Sequence, residues 1–161
     1  MAEPANSGAI DRHTAIGWYN YAASYQTVAD HLREALGKAE RGTMLRRATH
    51  VDDPVRFLYY HAIELYIKAV LRQHGKSVRK LRNVGHKFGD LRTLAEPVGF
   101  TLSADANVVF ELMATSDVWS RARYLETGFL TIPTLDGLWQ TCREVKQWAA
   151  RSLRDAGVQV K

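Results

Sequence analysis

Residues 53–75, DPVRFLYYHAIELYIKAVLRQHG, decide the fold of this chain. Asp53 suits the N-cap of a helix, where a short side-chain oxygen accepts an orphan N–H, and Pro54 suits the first helical position, where its missing N–H costs nothing. At the other end His74 places a basic side chain in the last turn and Gly75 offers the left-handed backbone of a helix stop. Between them Leu58, Ala62, Leu65 and Ala69 make one apolar strip, and Tyr59, Ile63, Tyr66 and Val70 make the next. A helix that is apolar around most of its circumference is surrounded by other helices, so the stretch predicts the central helix of a bundle. One strip departs from this: His61, Glu64, Lys68 and Arg72 recur at spacings of three and four. It reads either as a solvated face, with a surface ion pair worth about a few tenths of a kcal/mol, or as a polar seam paired inside a cleft, since buried charge without a partner is costly.

Outward from this helix the same period continues. From about Thr14, Trp18, Tyr21, Ala22, Tyr25, Val28, Ala29, Leu32 and Leu36 predict an amphipathic helix ending at Gly37, with these residues inward. Residues 38–52, carrying Arg41, Arg46 and Arg47, show no period and read as a long connection, either functional or an ordinary surface loop. Residues 76–90 are the most basic stretch, with Lys76, Arg79, Lys80, Arg82 and Lys87, and read as a loop. A short helix from about Lys87 to Ala95 or Val98 buries Phe88, Leu91 and Leu94 before Pro97 and Gly99 stop it. Ser103 caps a fourth helix whose inward strip is Val108 or Val109, Leu112, Met113, Ser116 and Trp119. Thr134 caps a fifth, with Leu135, Leu138, Cys142, Val145, Ala149 and Leu153 inward. No stretch alternates as a strand does, so the fold class is all-α, with residues 1–11 a flexible N-terminus and 12–161 a single domain.

The totals suit this reading. Of 161 residues, 46% are hydrophobic and 24% charged, ordinary values for a globular domain with its own core. The net charge of +5 permits a nucleic-acid or acidic partner without requiring one. A single cysteine, Cys142, removes any intrachain disulfide and any cysteine-built zinc site. The opening MAEPANSGAI lacks a signal pattern and no apolar run reaches bilayer length, so a cytoplasmic protein with no membrane partner is expected.

No glycine-rich phosphate loop or dinucleotide fingerprint is present, and His61-x-x-Glu64 occurs once and in the reverse order of a di-iron ligand pair. Neither cofactor nor metal is therefore expected. Three features permit chemistry. Glu64 and Lys68 form the seam on the central helix. The basic run Lys76, Arg79, Lys80 and Arg82 could follow a nucleic-acid backbone, or form a solvated surface, and it leads to His86, a side chain that exchanges protons near neutrality. Arg121, Arg123 and Tyr124 end the fourth helix, where cations favour the helix dipole and could also hold a phosphate.

These segments together resemble the HEPN superfamily, the helical domain named after higher eukaryotes and prokaryotes nucleotide-binding proteins. The resemblance is carried by His61-Ala62-Ile63-Glu64-Leu65-Tyr66-Ile67-Lys68-Ala69 with Leu71 and Gly75, by Gly85-His86-Lys87-Phe88-Gly89-Asp90-Leu91, and by Arg123-Tyr124 before the last helix. It covers roughly Thr14 to Leu153. It implies an up-and-down bundle of four or five helices that forms a homodimer. Many members are metal-independent ribonucleases whose arginine and histidine stand four to six residues apart late in the bundle; others bind nucleotides, partner nucleotidyltransferases, or serve in toxin-antitoxin and phage-defence systems.

The chain departs from the catalytic pattern, because Leu125, Glu126, Thr127 and Gly128 stand where a histidine should follow Arg121 and Arg123. Arg56 with His61, and Arg79 with His86, have the spacing elsewhere; on one helix the first pair diverges by about 140°. The expected function is thus a nucleotide- or nucleic-acid-associated binding or regulatory module, with nucleotide, RNA or a nucleotidyltransferase as partner. One alternative is a metal-independent ribonuclease with a relocated histidine. There His86 would be the acid–base group, with Arg79 or Arg123 on the phosphate and Tyr124 and Glu64 completing the cluster. The other is a structural helical dimer whose seam only fixes packing.

Overall fold

The computed structural model describes residues 13–39, 50–115 and 131–160. Six α-helices run through them: α1 (Ala15–Lys38), α2 (Asp52–Gln73), α3 (Val78–Val84), α4 (Phe88–Ala95), α5 (Ala104–Thr115) and α6 (Leu135–Asp155). A 3-10 turn, Glu96–Val98, extends α4. No strand occurs among the described residues, and the fold is an all-α bundle of the expected kind. Residues 40–49 of the expected connection 38–52, with its three arginines, and the expected Ser116 and Trp119 contacts lie outside the described residues.

The central helix is α2. It packs along α1 on one side and α6 on another, with α4 against a third. Its start differs slightly from the expected one: the helix begins at Asp52, with Val51 at the cap position. Asp53 is drawn into the first turn, where Oδ1 accepts from Arg56 at 2.9 Å instead of capping a backbone N–H. Its end is as expected. Gly75, at φ 82°, lets the Lys76 N–H reach back to the Leu71 carbonyl and the Gly75 N–H to that of Arg72, which closes the last turn.

Helix α1 is rotated from its expected phase. Ala15, Tyr19, Ala22, Gln26, Ala29 and Leu36 are buried, while Tyr21, Val28 and Leu32 face solvent. The cause is polar pairing across the α1–α2 contact. The Tyr66 hydroxyl donates to Gln26 Oε1 at 2.8 Å and the Tyr59 hydroxyl to Asp30 Oδ1 at 2.7 Å. Once satisfied, these polar groups can occupy the inward strip, and Ala22 and Ala29 let the two helices come close. Burial and the bond to Asp30 push the Tyr59 phenol well above its usual range.

Two further expectations change. The basic stretch is a helix, α3, and not a loop: Ser77 caps it by accepting from the Lys80 N–H at 3.2 Å, and Leu81 is its buried anchor. In α5 the inward strip is Ala106, Phe110 and Met113, and Val108 is exposed. Phe110 decides that rotation because it joins a run of aromatic contacts. Tyr60 meets Phe88, Phe88 meets Phe110, Phe110 meets Phe100 and Phe100 meets Trp148, at centroid separations of 5.7, 5.7, 5.5 and 4.8 Å. The run ties α2, α4, α5 and α6 into one core. In α6 the expected inward residues are found with Trp148, Thr141 and Ala150 added, except that Leu135 is only half-buried.

The α1–α2 pairing predicts a specific cost. Tyr66→Phe leaves the buried Gln26 carbonyl without its donor and should destabilise the protein by about 1–3 kcal/mol in denaturant titration. Tyr66→Phe combined with Gln26→Leu should recover most of that loss. Single and double variants of equal stability would show that the bond does not set the phase of α1.

Candidate functional site

Helix α2 places Glu64 and Lys68 one turn apart, and both are buried, at 2% and 6% exposure. The solvated-face reading of this seam is therefore corrected. The Lys68 ammonium donates to Glu64 Oε1 at 2.5 Å. The second oxygen, Oε2, accepts from His86 Nδ1 at 2.6 Å. His86 reaches it because Gly85, at φ 59°, turns the chain after α3, and because Phe88 two residues later is locked into the aromatic core. His61 brings its Nδ1 to 3.9 Å from the same oxygen, its ring held edge-on by Tyr25 and stacked on Phe57.

Burial alone would push the Glu64 carboxyl up. The facing imidazoles of His61 and His86 and the Lys68 ammonium outweigh it and hold the group at about 2. Glu64 is thus held as a carboxylate at neutral pH. A carboxylate only accepts, so His86 Nδ1 carries a proton and Nε2 is the ring atom that takes or gives one. His86 is half exposed while its anchor is buried. The pair is an oriented imidazole at the edge of the bundle, a geometry suited to acid–base chemistry or to hydrogen-bonding an anion.

The structure thus brings Glu64 and His86 together, while Arg123 and Tyr124 lie outside the described residues. The cations expected to bind nucleic acid divide between two surfaces. Arg79 and Lys80 line an open groove of about 440 Å³ with Ser77, Asn83 and Asp90. Arg82 turns the other way, 3.0 Å from His13 Nε2. Lys76 closes the end of α2, where its carbonyl accepts from Arg72 at 3.4 Å. Arg56 is occupied at the start of α2 with Asp53 and the Pro133 carbonyl.

What sequence reasoning missed lies on the His13 side. A pocket of about 550 Å³ opens between the start of α1, the polar seam of α2 and α3, walled by Trp18, Tyr21, His61, Lys68 and Arg82 over Leu65 and Leu81. Trp18 and Tyr21 were expected in the core and His13 carried no signal. The pointer available was the aromatic ladder at 18, 21 and 25, more than a core-facing strip needs. Among the described residues no cluster of histidine, cysteine and carboxylate groups could hold a metal ion, and no helix is long and apolar enough to cross a membrane.

A family model described as HEPN domain matches residues 28–153, from the middle of α1 to the last turns of α6, and so spans Glu64, Lys68, α3 and His86. No curated protein and no solved structure gives a match.

The depressed carboxyl makes stability depend on pH. The unfolded chain takes up a proton near 4.5 and the folded one near 2, so the contribution is complete above about pH 5 and is lost as pH falls through that interval. At roughly 1.4 kcal/mol per unit it amounts to about 3 kcal/mol. Glu64→Gln should flatten the fall in stability between pH 5 and 2. Glu64→Ala should cost about 3–5 kcal/mol at neutral pH by stranding Lys68. A Gln variant with the parental pH profile would mean that the carboxylate is not held as described.

Proposed function

The chain belongs to the HEPN domain family, and on that premise we propose that it is a nucleotide- or nucleic-acid-associated binding and regulatory module. We propose further that it acts as a homodimer beside a nucleotidyltransferase, in the setting of a toxin-antitoxin or phage-defence system. The observation that carries the binding reading is α3. It is a short helix with one buried side chain, Leu81, and three exposed cations, Arg79, Lys80 and Arg82, directly before the anchored His86. Arg79 and Lys80 line one groove, while Arg82 stands against His13 on the other side of the helix. A strand of RNA passing the tip of α3 would meet positive charge on both flanks.

Phosphate contacts release counterions, which makes the reading measurable. Lys76, Arg79, Lys80 and Arg82 replaced together by Gln, a residue that preserves the helix, should weaken single-stranded RNA binding. The slope of log affinity against log salt should fall by up to roughly 3, at about 0.7 per phosphate contact. Thermal stability should hardly move, since exposed charges contribute little. An unchanged salt slope would return α3 to a solvated surface.

A second reading, a metal-independent ribonuclease, is favoured by one observation: the His86 imidazole is oriented by a buried carboxylate at 2.6 Å. On this reading the parent protein cleaves single-stranded RNA in the presence of chelator and His86→Ala abolishes cleavage while remaining folded. A parent protein without cleavage, or a His86→Ala variant that still cleaves, leaves the binding module as the function.

A further inference from the structure

The pocket between α1, α2 and α3 has two unlike ends. Its volume of about 550 Å³ falls in the range of small-molecule sites. His61, Leu65 and Lys68 line its α2 wall at spacings of four and three, so that wall is about 10 Å long at 1.5 Å per residue. Helix α1 runs antiparallel to α2, since Asp30 meets Tyr59 and Gln26 meets Tyr66. Tyr25 lies on His61, so Trp18, two turns earlier in α1, flanks Lys68, two turns later in α2, and Tyr21 flanks the middle. Arg82 stands at the Lys68 end, because its neighbour His13 accepts through its carbonyl from Arg72, one turn beyond Lys68. The pocket thus has a cationic end, and its body is walled by Leu65, Leu81, Trp18 and Tyr21.

The cationic end has donors in excess. Lys68 is buried at 6% exposure and its ammonium has three N–H donors, of which Glu64 Oε1 takes one among the described residues. Arg82 has five, and its guanidinium makes one hydrogen-bonding contact among the described residues, from Nη2 to His13 Nε2 at 3.0 Å. A buried donor without an acceptor carries a desolvation penalty, so this end favours a ligand that brings oxygen.

Charge sets the class of that ligand. Glu64 already offsets Lys68, which leaves the charge of Arg82 for a ligand to balance. One negative charge suffices. A dianionic phosphate would bring a second beside the Glu64 carboxylate, where buried charge without a partner is costly. We infer that the pocket binds a small hydrophobic monocarboxylate, an aryl-substituted short-chain acid, with its carboxylate on Lys68 and Arg82 and its ring between Trp18 and Tyr21. Two carboxylate oxygens suit two donors arriving from α2 and α3, and aromatic walls reward a ring in edge or offset contact. The body of the ligand is held by α1 and α2, so the inference stands whether or not α3 tracks RNA.

Calorimetric titration of the full chain with phenylpropionate and indolepropionate tests it, against phenylpropionamide, acetate and adenosine monophosphate. Saturable binding of both acids is expected, at least tenfold tighter than the amide, which lacks the charge, and than acetate, which lacks the ring. The monophosphate should be at least tenfold weaker as well. Arg82→Gln alters an exposed side chain and should weaken acid binding about tenfold with little change in thermal stability. Lys68→Met alone would strand Glu64, so it is combined with Glu64→Gln, which removes both charges at nearly constant volume; that variant should also lose tenfold or more. No saturable binding of either acid overturns the inference, as does a preference below tenfold over the amide or acetate. A monophosphate bound within tenfold of the acids overturns the carboxylate class. Unchanged affinity in Arg82→Gln overturns the placement of the carboxylate, whether or not the paired variant folds.

Discussion

A carboxylate and an ammonium one turn apart inside the central helix set the conditions that the surrounding elements meet. Glu64 and Lys68 are both buried, and each would be costly alone. Their mutual bond satisfies one carboxylate oxygen and leaves the other in need of a donor from outside α2. His86 is that donor, and bringing it there requires the turn at Gly85, the capped helix before it and the Phe88 anchor after it. The local path of residues 77–88 is therefore the completion of a charge network as much as a connection between helices.

The same logic governs the contact between α1 and α2. Two tyrosine hydroxyls on α2 carry Gln26 and Asp30 of α1, so the interface keeps polar groups inside without leaving them short of partners. On another side of α2 the solution is apolar, an aromatic run from Tyr60 to Trp148. Helix α2 thus carries a charged seam and a tyrosine face that are both internally paired, beside an apolar face that is closed. The candidate site lies along the seam.

How far the sequence reveals this differs from element to element. The central helix, its glycine stop, the all-α class and the caps at Ser103 and Thr134 are local properties, and period and capping chemistry suffice for them. The phase of α1 is not local. Hydropathy favours the strip with Tyr21, Val28 and Leu32, whereas the folded chain buries Gln26 because Tyr66, forty residues away, satisfies it. The basic stretch is misread for a related reason: five cations outweigh a single Leu81 in any pattern, yet Ser77 and Leu81 are enough for two turns of helix once a core exists to receive the leucine. Of the site, the Glu64–His86 meeting was legible from the seam and the turn histidine. The pocket was not, because it forms from residues that separately resemble core or chain end.

Helix α3 also bears on how the molecule moves. Seven residues do not sustain a helix in water, and burial of one leucine stabilises it by about 1.5–3 kcal/mol. Both ends are positive-φ glycines, Gly75 and Gly85, where backbone rotation meets little steric resistance. Residues 76–86 accordingly form a cooperative unit whose opening costs less than unfolding the bundle. An opening of this unit would part His86 from Glu64 and Arg82 from His13 together, so the two contacts are coupled through α3. Amide exchange in α3 would then report on the making and breaking of the His86–Glu64 bond, although that bond lies outside the helix itself.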